Sequence, residues 1–304
     1  MGLRLASTSW PEGLFDQPSV AVRPRDVHFD TTATPLHWIP GEPAASHMIN
    51  AFNLIFPTVE RFFCRVFEKT LPFVRDEKLR EDMVGFIGQE AIHAQAHDRV
   101  LHEYFSQHGV TDVDTFIELT EWLERRVYPL LDQLSGNALL RALRPMTYGI
   151  AVIEHYTSLL GDWALNDAHW DELGADPVMA DLYRWHGAEE VEHRSVAFDV
   201  ATYLGLSWWR RVLIVIPAGL MVYPILLVGG MQIAKRDPSF PKMGYVRFFL
   251  QLRKAAKRGA VPSPGYIFRQ IWHLVGRNYS PQQFGDTAQA VAYIAQSPAV
   301  RALA

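Results

Sequence analysis

Cysteine is almost absent: Cys64 is the single one in 304 residues. No intrachain disulfide can form, so a reducing, cytoplasmic setting is expected. Thiolate-rich metal sites, which favour zinc or iron–sulfur clusters, have no supply of ligands here. Alternating runs of Val, Ile and Thr are scarce as well, so strands are not expected. Met1 to Gly13 has no basic start leading into an apolar run, and no secretory signal is expected. Low-complexity tracts are missing, and so is any motif for nucleic acid. Acidic residues are nearly missing from one region. Residues 205–304 carry 13 Lys+Arg against 2 Asp+Glu, a balance of +11, whereas residues 1–204 carry 16 against 31, a balance of −15. Such a split points to an anionic partner for the basic part: a membrane surface, a nucleic acid or the acidic half itself.

What remains is a globular, helical chain, 49% hydrophobic and long enough to bury a substantial core. Residues 1–45, with Pro35, Pro40 and Pro43, read as an extended arm. A first helix is expected over 46–67, interrupted or kinked near Pro57, and a second over 77–108, stopped by Gly109. A helical stretch follows over 111–134. Helices over 137–167 and 178–204 flank a loop with Gly174 and Pro177. Residues 206–304 form a basic C-terminal extension. Within it, Val212–Ala234 is a run of twenty-three uncharged residues, led by Trp208-Trp209-Arg210-Arg211 and closed by Lys235-Arg236. That length suffices to cross a bilayer. Positive flanks at both ends suit a simple span poorly, so a hairpin bent near Pro217 and Pro224 at the interface is one expectation. A helix buried against the rest of the chain or a second subunit is the other.

The most informative pattern is a duplicated Glu-x-x-His. Glu90-Ala-Ile-His93 follows Glu60 by thirty residues, and Glu190-Val-Glu-His193 follows Glu154 by thirty-six. A Glu and a His three apart lie on one helix face. Four helices offering Glu, Glu-x-x-His, Glu and Glu-x-x-His inward supply four carboxylates and two imidazoles, the ligand set of di-iron and di-manganese carboxylate proteins. Glu60, Glu90, His93, Glu154, Glu190 and His193 are therefore the expected metal and catalytic residues. Two ions are expected, iron first, with manganese and zinc as alternatives. Buried carboxylates without cations would repel one another, which argues against a merely structural role.

Around them, Glu189 is expected to accept the second ring N–H of His93, and Gln89 that of His193. His186, four residues before Glu190, reads as a further supporting residue, whereas His155, beside Glu154, reads as a hydrogen-bonded bystander. His97, one turn beyond His93, is a candidate extra ligand or proton donor. Glu192 is expected to face solvent or form an ion pair. Cys64, one turn from Glu60, reads as a small packing residue.

These residues resemble a known group. The overall pattern is similar to the ferritin-like di-iron carboxylate superfamily. More narrowly, His37-Trp38, the run NAFNLIFPTVERFF over 50–63, Gly85-Phe-Ile-Gly-Gln-Glu-Ala-Ile-His93 and Trp185-His-Gly-Ala-Glu-Glu-Val-Glu-His193 resemble the bacterial family of predicted metal-dependent hydrolases, over roughly residues 25–205. The resemblance implies an all-α, ferritin-like four-helix bundle over 46–205, with additional helices, holding metal at the six residues named. Two departures stand out. Val59 precedes Glu60 where members often have Gly, and an aromatic C-terminal signature survives only as Tyr279-Ser-Pro281-Gln-Gln-Phe284.

Three functions compete, and the first is the leading expectation. Oxidation, oxygenation or desaturation of a small apolar, fatty-acyl-like substrate would use O₂ as co-substrate and an electron donor, in a core that excludes water. Hydrolysis would use a water activated by two metal ions. Non-enzymatic iron binding is the third. The expected location is the cytoplasm, on the inner face of the membrane if residues 205–258 attach there, and a homodimer is a further candidate assembly.

Overall fold

The computed structural model describes residues 21–111, 113 and 117–303, so the reading of Met1–Gly13 and most of the first half of the arm lie outside it. Every regular element among the described residues is helical. Helices α1 (Pro43–Asn50) and α2 (Phe52–Thr70) follow the arm. Next come α3 (Glu77–Arg99), extended by a π-helical turn at Val100–Tyr104, and three short helical segments between Ile117 and Gln133. Helices α4 (Gly136–Asn166), α5 (Pro177–His193), α6 (Val196–Tyr203) and α7 (Trp208–Arg236) lead into α8 (Tyr245–Ala256), α9 (Pro264–Leu274) and α10 (Thr287–Gln296).

Local chemistry explains most boundaries. Asp76 caps α3 by accepting from Leu79 N, and Asp176 caps α5 by accepting from Val178 N and Met179 N, with Pro177 in the first turn. Gly109 and Gly174 turn the chain at positive φ, where glycine is unstrained. Three expectations fail. The interruption of the first helix falls at Ala51, whereas Pro57 sits inside α2. The helix expected over 178–204 breaks after His193, where the Arg194 guanidinium turns back onto Val191 O and reaches Thr287 Oγ1. No hairpin forms within 212–234 either: α7 runs unbroken through Pro217 and Pro224 for 29 residues.

The pairs α2–α3 and α4–α5 pack closely, and α2–α4 and α3–α5 contacts join them. At the α4–α5 crossing Gly161 and Gly187 meet backbone to backbone, leaving no room for a Cβ on either. This brings Glu154 and Glu190 within reach of one another. One apolar core is built on Trp38, Trp170 and Trp185, and a second on Phe63, Phe67 and Phe86. The arm is not a loose lead-in. It crosses α3 where Gly85 and Gly88 leave space for Val22 and Pro24.

One polar residue strains this packing. Burial, with Asp82 adding repulsion, pushes the Asp199 carboxyl on α6 up to about 7. The folded protein thus favours its protonated form, a contribution complete below the ordinary carboxylate range and lost as pH rises through 7. Asp199→Asn should therefore gain on the order of 1 kcal/mol over the parent at pH 8 and little at pH 5, read from paired denaturant titrations. An equal gain at both pH values would refute this origin.

Candidate metal centre

Four helices each deliver inward-pointing donors. Helix α2 gives Glu60, α3 gives Glu90 and His93, α4 gives Glu154, and α5 gives His186, Glu190 and His193, all buried. The donor atoms form two groups. Glu60, His93 and His186 make one, and Glu90, Glu154, Glu190 and His193 the other, with the atoms of each lying within 4.8 Å of one another. Two carboxylates face both. Glu190 Oε1 lies 3.0 Å from His186 Nε2 and 3.6 Å from His93 Nδ1, while its Oε2 lies 3.4 Å from His193 Nε2. Glu90 Oε1 is 3.2 Å from His193 Nε2 and 3.9 Å from His93 Nδ1. Glu60 sits at one end, 3.7 Å from His186, and Glu154 at the other, 3.1 Å from His193.

The outer nitrogens are occupied. His93 Nε2 lies 2.9 Å from Glu189 Oε2, and His193 Nδ1 is 2.8 Å from Gln89 Oε1. His186 Nδ1 is 2.7 Å from His97 Nε2. Their inner nitrogens point at the carboxylates. His93 Nδ1, His193 Nε2 and both oxygens of Glu60, Glu90 and Glu154 have no hydrogen-bond partner despite complete burial. Buried polar atoms left this way are costly unless a cation meets them. An imidazole held by one nitrogen, with the other aimed at converging carboxylates, is the arrangement of a metal ligand. The donor set of oxygen and imidazole nitrogen, without sulfur, fits iron, manganese or zinc.

Protonation tells the same story. Burial, reinforced by neighbouring carboxylates, raises Glu60 and Glu90 well above the carboxylate range and Glu154 to about 7. Glu190 is held well below it: burial opposes ionisation, but His193, His186 and His93 outweigh that. Burial works against a charge on His93 and His193 too, yet their carboxylate partners raise them to about 9 and about 10. Without metal the centre balances its charge with protons, and taking in cations must release them.

His186 thus differs from its expected supporting role. It faces the centre directly, as a candidate seventh ligand, because positions 186, 190 and 193 of α5 share one face. That spacing was visible in the chain and was the signal to use. His97 is not placed to touch metal. One turn beyond His93, it stands behind His186, with Nδ1 held 2.7 Å from Asn53 Oδ1. Asn53 Nδ2 in turn donates to Tyr183 Oη at 2.7 Å. Glu192 faces no solvent. It is buried, and its carboxylate and that of Glu189 receive Arg25 at 2.6 to 3.0 Å. Gln89 Nε2 also donates to Glu192, at 2.7 Å. Arg25, from the arm, went unnoticed in the sequence, where nothing marks it out 164 residues from Glu189.

His155 turns away from the centre. Its Nδ1 meets Tyr279 Oη at 2.8 Å, so the shortened aromatic signature packs behind the helix that carries Glu154. Cys64 leans on Ile87 O, and burial, then Glu60, pushes its thiol up to about 12, which keeps it from acting as a thiolate. Beside the centre, a cavity of about 50 Å³ is lined by Phe52, Phe56, Leu160, Trp163, Thr157 and His186, among others. Thr157 Oγ1 donates to Glu190 Oε2, linking the cavity to the carboxylates.

Set against family models, the chain matches one described as predicted metal-dependent hydrolase, over residues 23–285. The chain belongs to that family. Its matched span takes in Arg25, every donor named above and helices α7 to α9. Comparison with curated proteins and with solved structures gave no match. The family description implies an enzyme that depends on metal, and the two buried Glu/His groups could bind it.

Proposed function

We propose that the protein is an enzyme built on a dinuclear metal centre in a ferritin-like helical bundle, with Glu90 and Glu190 shared between two ions. The observation that carries this is the pairing of engaged outer nitrogens with orphaned inner donors around two carboxylates that face both groups. Four carboxylates match the charge of two divalent cations, as a low-dielectric core requires. Glu60 with His93 and His186 would hold one ion, and Glu154 with His193 the other.

The family description favours hydrolysis, and this is the first reading. Metal held by these residues would supply an activated water at neutral pH and charge to stabilise the leaving oxygen. The chain's own part is to orient and to exclude water. Glu189 and Gln89 fix the tautomers of His93 and His193, and His97 fixes that of His186. Phe86 and Trp185 close over His193 and His93 from opposite sides, with ring centroids 4.8 and 5.1 Å away. A second reading, O₂-dependent oxidation at iron, has an observation of its own. The cavity beside His186 is small and apolar, with room for a diatomic gas or a small apolar group.

The metal content of protein from its own cells, followed by activity of that loaded form, separates the two. Hydrolysis predicts metal-dependent cleavage of ester or amide probes with no O₂ consumed. If reduced, iron-loaded protein takes up O₂ with a new absorption band and cleaves no probe, the oxidative reading replaces it. Zinc at full occupancy would exclude oxidation, since zinc has no redox chemistry.

A further inference from the structure

Helix α7 is apolar enough to be a core helix, yet only 28% of its most apolar 18-residue window is buried. Its two sides differ in kind. The inner side carries the glycines: Gly229 sits against Ala51, Gly230 against the Met48 backbone, and Gly219 against Tyr156 and Ile271. Arg211 is also turned inward, bonding Gly276 O and lying 5.1 Å from the centre of the Tyr279 ring. The outer side carries Trp209, Leu213, Ile216 and Leu220, at steps of four, three and four, which is one helix face. Trp209 is 66% exposed and Leu213 73%. On the neighbouring helices Val246 of α8 and Trp272 of α9 are each 75% exposed. A contiguous apolar face of this kind on a folded chain marks an interaction surface.

We infer that this face seats the protein on an anionic lipid surface, with α7 lying in the interface and not crossing it. Crossing is excluded by the inner side, which is fixed to α1, α4 and α9 along its length. The exposed tryptophans are suited to the headgroup region. Charge decides between lipid and a second copy. Exposed basic side chains stand on the same helices and the turn between them: Arg210, Lys235 and Arg236 on α7, Lys242 in the turn, and Arg247 and Lys254 on α8, within a region whose balance is +11. Two copies associating through this region would bring like charges together, whereas anionic headgroups complement them. At the C-terminal end of α7, a cavity of about 470 Å³ is lined by Lys235, Arg236 and Lys242 over Met231 and Phe240, where a lipid phosphate would meet cations and its chain an apolar floor. The inference draws nothing from the metal centre and holds whichever chemistry that centre performs.

Flotation of the full-length protein with vesicles tests it. Vesicles of phosphatidylcholine mixed with phosphatidylglycerol should carry the protein up the gradient, and phosphatidylcholine alone should carry far less. Lys235→Gln with Lys242→Gln should weaken partition about 30-fold, from about a fivefold factor per basic residue. Leu213→Ser with Leu220→Ser should weaken it at least about tenfold and leave binding that salt removes, since both positions are exposed and the remainder is electrostatic. Unchanged helix content and metal content in both variants guard against misfolding. Protein that ignores both vesicle types, or whose binding both pairs of substitutions leave intact, overturns the inference. So does a dimer in detergent-free buffer that the leucine substitutions split without any vesicle binding, which would assign the face to a second copy.

Discussion

Glu190→Ala should leave the protein unable to retain either metal ion, while Glu154→Ala should leave it holding about one. The difference follows from position. Glu190 reaches both donor groups, with Oε1 toward His186 and His93 and Oε2 toward His193. Glu154 touches only the group containing His193. Removing an outer partner of a ligand typically costs 10- to 100-fold in metal affinity, so removing a carboxylate shared by two ions should cost more than that at each. The measurement is metal per chain after anaerobic loading and gel filtration, with circular dichroism to show that the helices persist. Two ions per chain in the Glu190→Ala protein would sink the assignment of Glu190 as a carboxylate shared by both. Loss of a single ion in both variants would leave a site in which Glu190 belongs to one ion only.

Much of this site could be read from the chain because its residues are local in pairs. A Glu and a His three apart on a helix need only the helix to form, and the scarcity of strand patterns, with Gly109 and the Gly174 and Pro177 loop as punctuation, announced the helices. Glu189 and Gln89 were reachable too, as neighbours of Glu190 and Glu90. What escaped was decided by contacts distant in sequence. At the break after His193, Arg194 meets Thr287, 93 residues on, a contact that no local pattern announces. Pro217 and Pro224 suggested a hairpin, yet α7 runs unbroken through both, with its glycine side packed against three other helices. His97 escaped because tertiary packing, and not spacing along α3, holds it between Asn53 and His186, whereas His186 itself was legible from its spacing to Glu190 and His193 on α5. The two sides of α7 were equally hidden: composition shows an apolar run but not which residues face the bundle.

Arg25→Met should be the most damaging substitution outside the ligands themselves. The arm carries Arg25 across Gly85 and Gly88 into the four helices, where its guanidinium meets Glu189 at 2.6 Å and Glu192 at 2.9 Å. Burial alone would lower its pKa, but the two carboxylates raise it well above the ordinary arginine value. Methionine keeps much of the stem and removes the charge, leaving two buried carboxylates without their cation. Breaking a buried pair on one side costs about 3–5 kcal/mol, and here one of the stranded groups also holds His93. Stability should fall by about that amount, and metal affinity at the His93 side by about 10- to 100-fold. Adding Glu192→Gln to Arg25→Met removes one stranded charge and should recover part of the stability, because Gln89 can still bond the new amide oxygen. It should not restore metal affinity, because Glu189 would still lack the partner that fixes its grip on His93. If the double variant regained both together, Arg25 would serve only to neutralise buried charge. If Arg25→Met lost stability with metal affinity unchanged, the link from Arg25 through Glu189 to His93 would carry no influence on the centre.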